Sequence, residues 1–260
     1  MNPLAPQTPA LTVIIPAYNE EKRLPPHLGR ALDYLHEHFP AFELIVVDDG
    51  STDRTAEAVG AALAGEPRAR LITYQPNRGK GRAVRTGVLA SRGEAVVFLD
   101  ADFSTPVDEI PRALARLRNA DIVIGSRDLP GAEVRPTQPL FRRLASGVFD
   151  VAKKTMVGLW DIKDTQCGFK AYEGALARQL FALGQVDRFM FDVELLYLAK
   201  RAGLRIVEMP VRWADAPGSK VRFWEGLVNM FRDLWRIRTH RYPVIVPERA
   251  RPVPGRAVGR

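Results

Sequence analysis

Two aspartates, Asp100 and Asp102, close a run of four apolar residues, Val96-Val97-Phe98-Leu99. In an extended strand residues i and i+2 point to the same side, so the two carboxylates can converge. Paired carboxylates at the end of a buried strand repel unless a cation sits between them. Hard oxygen donors suit Mg²⁺ or Mn²⁺, which keep waters and bind substrate phosphates. Asp-x-Asp is also common turn chemistry; its place after an apolar strand favours the metal reading. A second acidic pair, Asp48-Asp49, precedes Gly50-Ser51-Thr52-Asp53. It could hydrogen-bond a base or ribose, or cap a helix. The stretch Asn77-Arg78-Gly79-Lys80-Gly81 lacks P-loop spacing, and no Gly-x-Gly-x-x-Gly follows the first strand.

These residues need strands to carry them. Apolar runs at Leu11–Ile15, Glu43–Val47, Arg70–Tyr74, Ala95–Leu99 and Asp121–Ile124 read as parallel strands covered on both faces. Helix patterns at Glu20–His38, Asp53–Ala64, Gly81–Ser91 and Val107–Arg118 fall between them. Ser51-Thr52-Asp53 offers N-cap chemistry to the second, and Pro106 suits the start of the fourth. Such alternation predicts an open, mostly parallel α/β sheet with helices on both faces, its ligands gathered at the carboxyl ends of the strands. Residues 126–145, rich in Arg, Pro and Gly, predict a mobile segment. Helices are expected at Pro139–Leu159, Glu173–Leu183 and Phe191–Ala202, and strands near Cys167–Tyr172 and Arg205–Trp213.

Composition narrows the function. The chain has 260 residues, 46% hydrophobic and 26% charged, a globular balance. One cysteine, Cys167, excludes an intrachain disulfide, and the four histidines have no zinc-site spacing. No run of about 18 apolar residues predicts a membrane-spanning helix, and the first residues do not resemble a signal peptide. Net charge is +8, and residues 212–260 carry eleven Lys/Arg against four acids, nearly the whole excess. A basic end suits nucleic acid, an anionic membrane or a phosphate-bearing substrate. No nucleic-acid motif or aromatic stacking platform accompanies it, so nucleic acid is not expected as a partner.

Taken together, Val13-Ile14-Ile15-Pro16-Ala17-Tyr18-Asn19-Glu20, Val46-Val47-Asp48-Asp49-Gly50-Ser51-Thr52-Asp53, Asn77-Arg78-Gly79-Lys80-Gly81 and Asp100-Ala101-Asp102 resemble the inverting nucleotide-sugar glycosyltransferases of family 2, with a GT-A fold. Asp164-Thr165-Gln166-Cys167-Gly168-Phe169-Lys170 and Pro217-Gly218-Ser219-Lys220-Val221 resemble the branch that glucosylates dolichyl phosphate. The resemblance spans roughly residues 11–240. It implies that Pro16, Ala17, Tyr18, Glu20 and Asp49 cradle the nucleotide, with Lys80 beside the base or ribose. It also implies that Asp100 and Asp102 hold the diphosphate through Mg²⁺ or Mn²⁺, and that Arg127 faces the acceptor phosphate. Gln166, Cys167 and Gly168 are assigned to the sugar pocket. The implied donor is UDP-glucose, with GDP-mannose as the alternative, and the implied acceptor is a polyprenyl phosphate; transfer to a non-lipid glycan and an inactive nucleotide- or membrane-binding module are the rival readings.

Charge arguments refine this. A phosphate monoester has a second pKa of about 6, so the acceptor arrives largely dianionic and needs no strong base. The protein must stabilise the leaving diphosphate and bring two anions together. Arg127, Lys170 and Lys220 are the candidate cations for the acceptor, whereas Arg135 reads as a solvated charge. Asp164 could act as a weak base, orient the sugar or cap a loop. Phe223, Trp224, Leu227, Val228, Phe231, Leu234 and Trp235 recur at three- and four-residue steps among arginines. That pattern suits either an interfacial membrane helix or a helix packed on the domain. The expected organisation is a flexible 1–10, a GT-A domain over 11–221, an amphipathic membrane-interface segment over 222–246 and a disordered basic tail over 247–260. The expected location is peripheral, on the cytoplasmic face of a membrane.

Overall fold

A computed structural model describes residues 8–135, 151, 153–214 and 223–243, the last stretch with side chains from 229 onward. In chain order the elements are β1 (Leu11–Ala17), α1 (Leu24–His38), β2 (Phe42–Asp48), α2 (Thr55–Ala62), β3 (Ala69–Thr73), α3 (Lys80–Ala90) and β4 (Ala95–Leu99). A 3₁₀ turn at Val107–Glu109 leads into α4 (Ile110–Leu117), followed by β5 (Ile122–Ser126) and β6 (Glu133–Arg135). Then come β7 (Phe169–Glu173), α5 (Gly174–Leu183), α6 (Phe191–Arg201), β8 (Ile206–Pro210), β9 (Arg212–Ala214) and α7 (Phe223–Thr239).

Seven strands form one sheet in the order β3-β2-β1-β4-β7-β5-β8. All neighbours are parallel except β7, which runs antiparallel to both β4 and β5. Strands β1 and β2 are buried along their whole length, as continuous apolar runs with a layer on each face require. Two apolar clusters fill those layers. One packs Ile14, Phe98, Tyr172 and Phe191 with the α3, α5 and α6 side; the other packs Ile15, Leu44, Leu99 and Phe169 with the α1 and α4 side.

The antiparallel β7 has a consequence for the site. Its amino end lies at the same sheet edge as the carboxyl ends of β1, β2, β4 and β5. The loop carrying Asp164 to Gly168 therefore joins the loops carrying Tyr18, Asp49 and Asp100. Leu99 pairs with Phe169, and the next step of that register sets Gly168 against Asp100.

Several expectations change here. The expected strand over Arg205–Trp213 is two strands, because Val211 interrupts it and β9 leaves the large sheet to pair with β6. Part of the segment expected to be mobile is thus strand, although Glu133, Val134 and Arg135 are all exposed. β3 is a half-exposed edge strand, not one covered on both faces. Helix α1 starts at Leu24, with prolines in its first turn, not at Glu20. Helix α2 starts at Thr55, where the Asp53 carboxylate accepts the Thr55 amide at 3.0 Å.

Candidate active site

The first two loops are stapled to one another. Asn19, with φ at 55°, directs its side-chain oxygen to the Thr52 amide at 2.8 Å, and its own amide donates to Ser51 Oγ at 2.9 Å. The Glu20 amide donates to Thr55 Oγ1 at 2.7 Å. Left-handed backbone at a non-glycine residue costs energy and needs such over-determination. Pro16 and Ala17 are buried in β1, whereas Tyr18 is exposed at the rim. The Glu20 carboxylate forms a bidentate pair with Arg23, so it is a strut of this loop.

Asp49 is an organiser of the next loop. Its buried carboxylate accepts from Tyr74 Oη at 2.6 Å, Asn77 Nδ2 at 2.8 Å, the Arg78 amide at 2.9 Å and the Gly79 amide at 2.7 Å. Burial, and then the Asp49 carboxylate, push the Tyr74 phenol far above its ordinary range. Asp48 turns to Ser51 instead. Gly79 has φ at 113° and Gly81 has no room for a side chain: a Cβ there would lie 2.6 Å from Phe191 Cβ. The glycines thus let the start of α3 press against the start of α6, which fixes where Lys80 begins.

Lys80 reaches inward. Its ammonium ion-pairs with Asp100, so it stands at the carboxylate end of β4. Burial pulls its pKa down, but Asp100, then Asp192 and Asp102, more than offset this and hold it charged. Asp102 uses Oδ1 to accept the Ser104 amide at 2.9 Å. Gly168 completes this corner, since a Cβ at that position would overlap the Asp100 carboxylate. Phe103, with φ at 51°, stacks on His27 at 5.4 Å beside it.

Among the described residues no three His, Cys, Asp or Glu side chains gather as a metal cluster. The Asp100–Asp102 pair nevertheless fits Mg²⁺ or Mn²⁺ by its donor chemistry. Both groups are hard oxygen donors, and such ions complete their shells with water and substrate phosphate. Asp100 already has a cation as its partner, which shows the charge such an ion would meet.

A second corner forms at the end of β5. Arg127 Nε lies 2.7 Å and Nη2 3.0 Å from the two Asp164 oxygens, and the Arg127 amide donates to Asp164 at 3.1 Å. Burial alone would raise the Asp164 pKa; Arg127 outweighs it and holds the carboxyl below its ordinary range. Asp164 is therefore an ionised anchor for Arg127, a poor geometry for a base. Glu208 on β8 pins this loop by accepting the Lys163 and Asp164 amides, each at 3.0 Å. The Arg127 guanidinium also lies over the Trp213 ring, 5.5 Å from its centre.

Two expected contacts are corrected. Lys170 is fully buried, pairing with Asp192 Oδ1 at 2.7 Å and donating to the Cys167 carbonyl at 2.7 Å. It faces the interior of the α6 side and is not open to an acceptor phosphate. Cys167 is also fully buried and belongs to the core, with its thiol pushed up to about 11 by burial. Of the expected sugar pocket only Gln166 keeps partial exposure, and Gly168 serves Asp100. Arg135 lies exposed on β6, and Lys220 falls outside the described residues.

Sequence reasoning missed Asp192, Glu194 and Glu208. Asp192 and Glu194 are acids within the apolar run Phe191–Leu198, and both are buried. Two acids in an otherwise apolar helix were the signal. Glu194 accepts Tyr242 Oη at 2.6 Å and the Val186 amide at 2.9 Å, tying the segment after α7 to the loop against Gly79.

An open, mostly parallel sheet with acidic pairs at its carboxyl edge agrees with the glycosyltransferase fold expected from the motifs, and comparison shows the family. The chain belongs to glycosyl transferase family 2, whose sequence profile matches residues 12–181; it is a glycosyltransferase. It is similar to a dolichyl-phosphate β-glucosyltransferase of Trichomonas vaginalis, with 40% identity over 87% of this chain and 70% of that protein. It is also similar to the human dolichyl-phosphate β-glucosyltransferase, with 39% identity over 89% of this chain and 75% of that protein. Among solved structures, glucosyl-3-phosphoglycerate synthase of Mycobacterium tuberculosis with Mn²⁺, UDP-glucose and phosphoglyceric acid matches with TM-score 0.64 and 21% identity, over 88% of this chain and 78% of that one. At that identity the likeness establishes the GT-A fold alone.

Proposed function

We propose that this protein transfers glucose from UDP-glucose to a polyprenyl phosphate of the dolichyl type, with inversion at the anomeric carbon. The observation that carries this reading is the agreement with the dolichyl-phosphate β-glucosyltransferases over most of both chains. The acceptor oxygen attacks the anomeric carbon, the bond to the diphosphate breaks, and UDP departs. Because the phosphate is already deprotonated, neither Asp164 nor any other residue has to remove a proton. A divalent ion, when bound, supplies charge stabilisation for the departing diphosphate. Asp100 and Asp102 hold that ion, with Gly168 leaving space for Asp100. Pro16, Ala17 and Tyr18 border the nucleotide, and Asp49 shapes the loop that presents Lys80.

Arg127 receives the acceptor phosphate. It keeps 31% of its side chain exposed while Asp164 fixes its plane, and a guanidinium offers phosphate two parallel hydrogen bonds. Lipid access follows from α7. Leu234 and Ile237 are buried against the domain, while Phe231 and Trp235, one turn apart, stay exposed among Arg232, Arg236 and Arg238. The helix thus packs on the domain with one face and offers aromatic and basic groups on another, which suits peripheral contact with an anionic bilayer at its cytoplasmic face. Among the described residues no helix is long and apolar enough to cross a membrane.

Incubating the purified protein with Mg²⁺, a short polyprenyl phosphate and either UDP-glucose or GDP-mannose tests the reading. Glucosyl lipid from UDP-glucose is expected. Mannosyl lipid in its place overturns the donor assignment, and transfer only to hydrophilic glycans overturns the acceptor.

A further inference from the structure

Beneath the strand-end carboxylates lies a line of alternating charge. Lys170, on β7, pairs with Asp192 in the first turn of α6. Lys80, the first residue of α3, pairs with Asp100 and also lies within the electrostatic reach of Asp192 and Asp102. The Phe98 ring lies under both ammonium groups, its centre 6.0 Å from Lys80 Nζ and 5.3 Å from Lys170 Nζ. Three carboxylates thus face two ammonium groups.

One atom in this line is out of place. Asp192 Oδ1 is buried and has no hydrogen-bond partner, although Lys170 Nζ is within ion-pair distance at 2.7 Å. The contact satisfies charge but not hydrogen-bond direction. An acceptor left in that condition costs free energy and calls for an explanation. The backbone on either side of Lys80 is held, since Gly79 and Gly81 press against residues 187 to 191. Any exchange of partner is therefore made by the Lys80 side chain, and the Phe98 face, its centre 6.0 Å from the ammonium, gives it a favourable surface to cross.

Resting on the reading that Asp100 and Asp102 hold a divalent cation, we infer that Lys80 is an exchangeable counter-ion of Asp100, passed to Asp192 when a divalent cation takes the Asp100 carboxylate. Asp192 is then a positioning residue. Lys80 holds Oδ1 of Asp100, so an ion that takes the whole carboxylate competes with Lys80 for it and favours its departure. A buried ammonium leaving one anion with no other to receive it would be costly. Asp192 lowers that cost, because its unpaired acceptor is filled in the same movement. Before the ion arrives, Lys80 relieves the repulsion between Asp100 and Asp102. Afterwards it remains close enough to face the diphosphate.

The test is Mn²⁺ binding to the whole protein, followed by the electron paramagnetic resonance signal of free Mn²⁺, with and without UDP. Without nucleotide, Lys80→Met is expected to bind Mn²⁺ about fivefold more tightly than wild type, and Asp192→Asn about fivefold more weakly. In the Lys80→Met background the asparagine should change affinity by about twofold or less, because the exchange it served is gone. Equal or weaker binding by Lys80→Met overturns the inference. So does an Asp192→Asn effect of the same size in both backgrounds, which a general loss of charge or packing would give. If thermal unfolding shows that Asp192→Asn does not fold, the Lys80→Met comparison decides the matter alone. Failure of the wild type to bind Mn²⁺ even with UDP instead overturns the metal assignment of Asp100 and Asp102.

Discussion

Arg127 and Asp164 form a bidentate pair in which the aspartate is 4% exposed and the arginine 31%. The asymmetry assigns roles: the carboxylate is committed to the protein, while the guanidinium still has an open edge. Lysine can supply the charge at position 127 but not two parallel hydrogen bonds. Arg127→Lys should therefore lower kcat/KM for the polyprenyl phosphate about tenfold to a hundredfold, chiefly through KM for the acceptor. Steady-state kinetics with the acceptor varied at saturating donor check this, and an unchanged acceptor KM would contradict it.

The same pair gives a pH dependence. Arg127 holds the Asp164 pKa below its ordinary value, so the folded state releases this proton more readily than the unfolded chain does. Its stabilisation is complete above the unfolded carboxylate pKa of about 3.9 and is lost as pH falls through the lower folded value. A double-mutant cycle with Arg127→Ala and Asp164→Asn, read by urea unfolding, should give its largest coupling at neutral pH and a declining one in acid. Arg127→Ala alone, which strands a buried carboxylate, should cost about 3 kcal/mol at pH 7. Coupling that grows on acidification would contradict the assignment.

Gly168 is required by the carboxylate across from it. Because a Cβ there would overlap Asp100, Gly168→Ala must displace the carboxylate proposed to hold the metal by a distance that reaction geometry does not tolerate. Transfer should fall by about a hundredfold or more. Mn²⁺ affinity should fall with it, and circular dichroism should show the fold retained. Full activity in this variant would mean that Asp100 has another position available.

Phe231 and Trp235 present exposed rings on α7. Changing both to serine should weaken sedimentation with anionic liposomes by about tenfold, and raised salt should weaken the wild type in the same assay. Absence of wild-type binding at low salt would remove the membrane from the account.

Much of this was legible in the sequence. Runs such as Leu11–Ile15 and Ala95–Leu99, short, β-branched and alternating with helix patterns, read as buried strands, and the structure has strands there. The direction of β7 was not legible, because Phe169–Tyr172 is apolar whichever way it runs. The short pair β6 and β9 escaped because it is mostly exposed and has no periodic signal. Lys170 misled for a physical reason: a lysine near a loop is usually solvated, and only the unforeseen Asp192 makes its burial tolerable. Asp164 was open to three roles until Arg127 appeared on both its oxygens.

The most direct test of the whole account follows radiolabelled glucose from UDP-glucose into an organic-phase lipid product, comparing wild type with Asp102→Ala. Label should enter the lipid in a Mg²⁺- or Mn²⁺-dependent manner with the wild type, and Asp102→Ala should lower the rate by at least about a thousandfold. Equal turnover by the folded variant, with or without the metal, would contradict the claim that Asp102 helps hold the ion that carries the leaving group's charge.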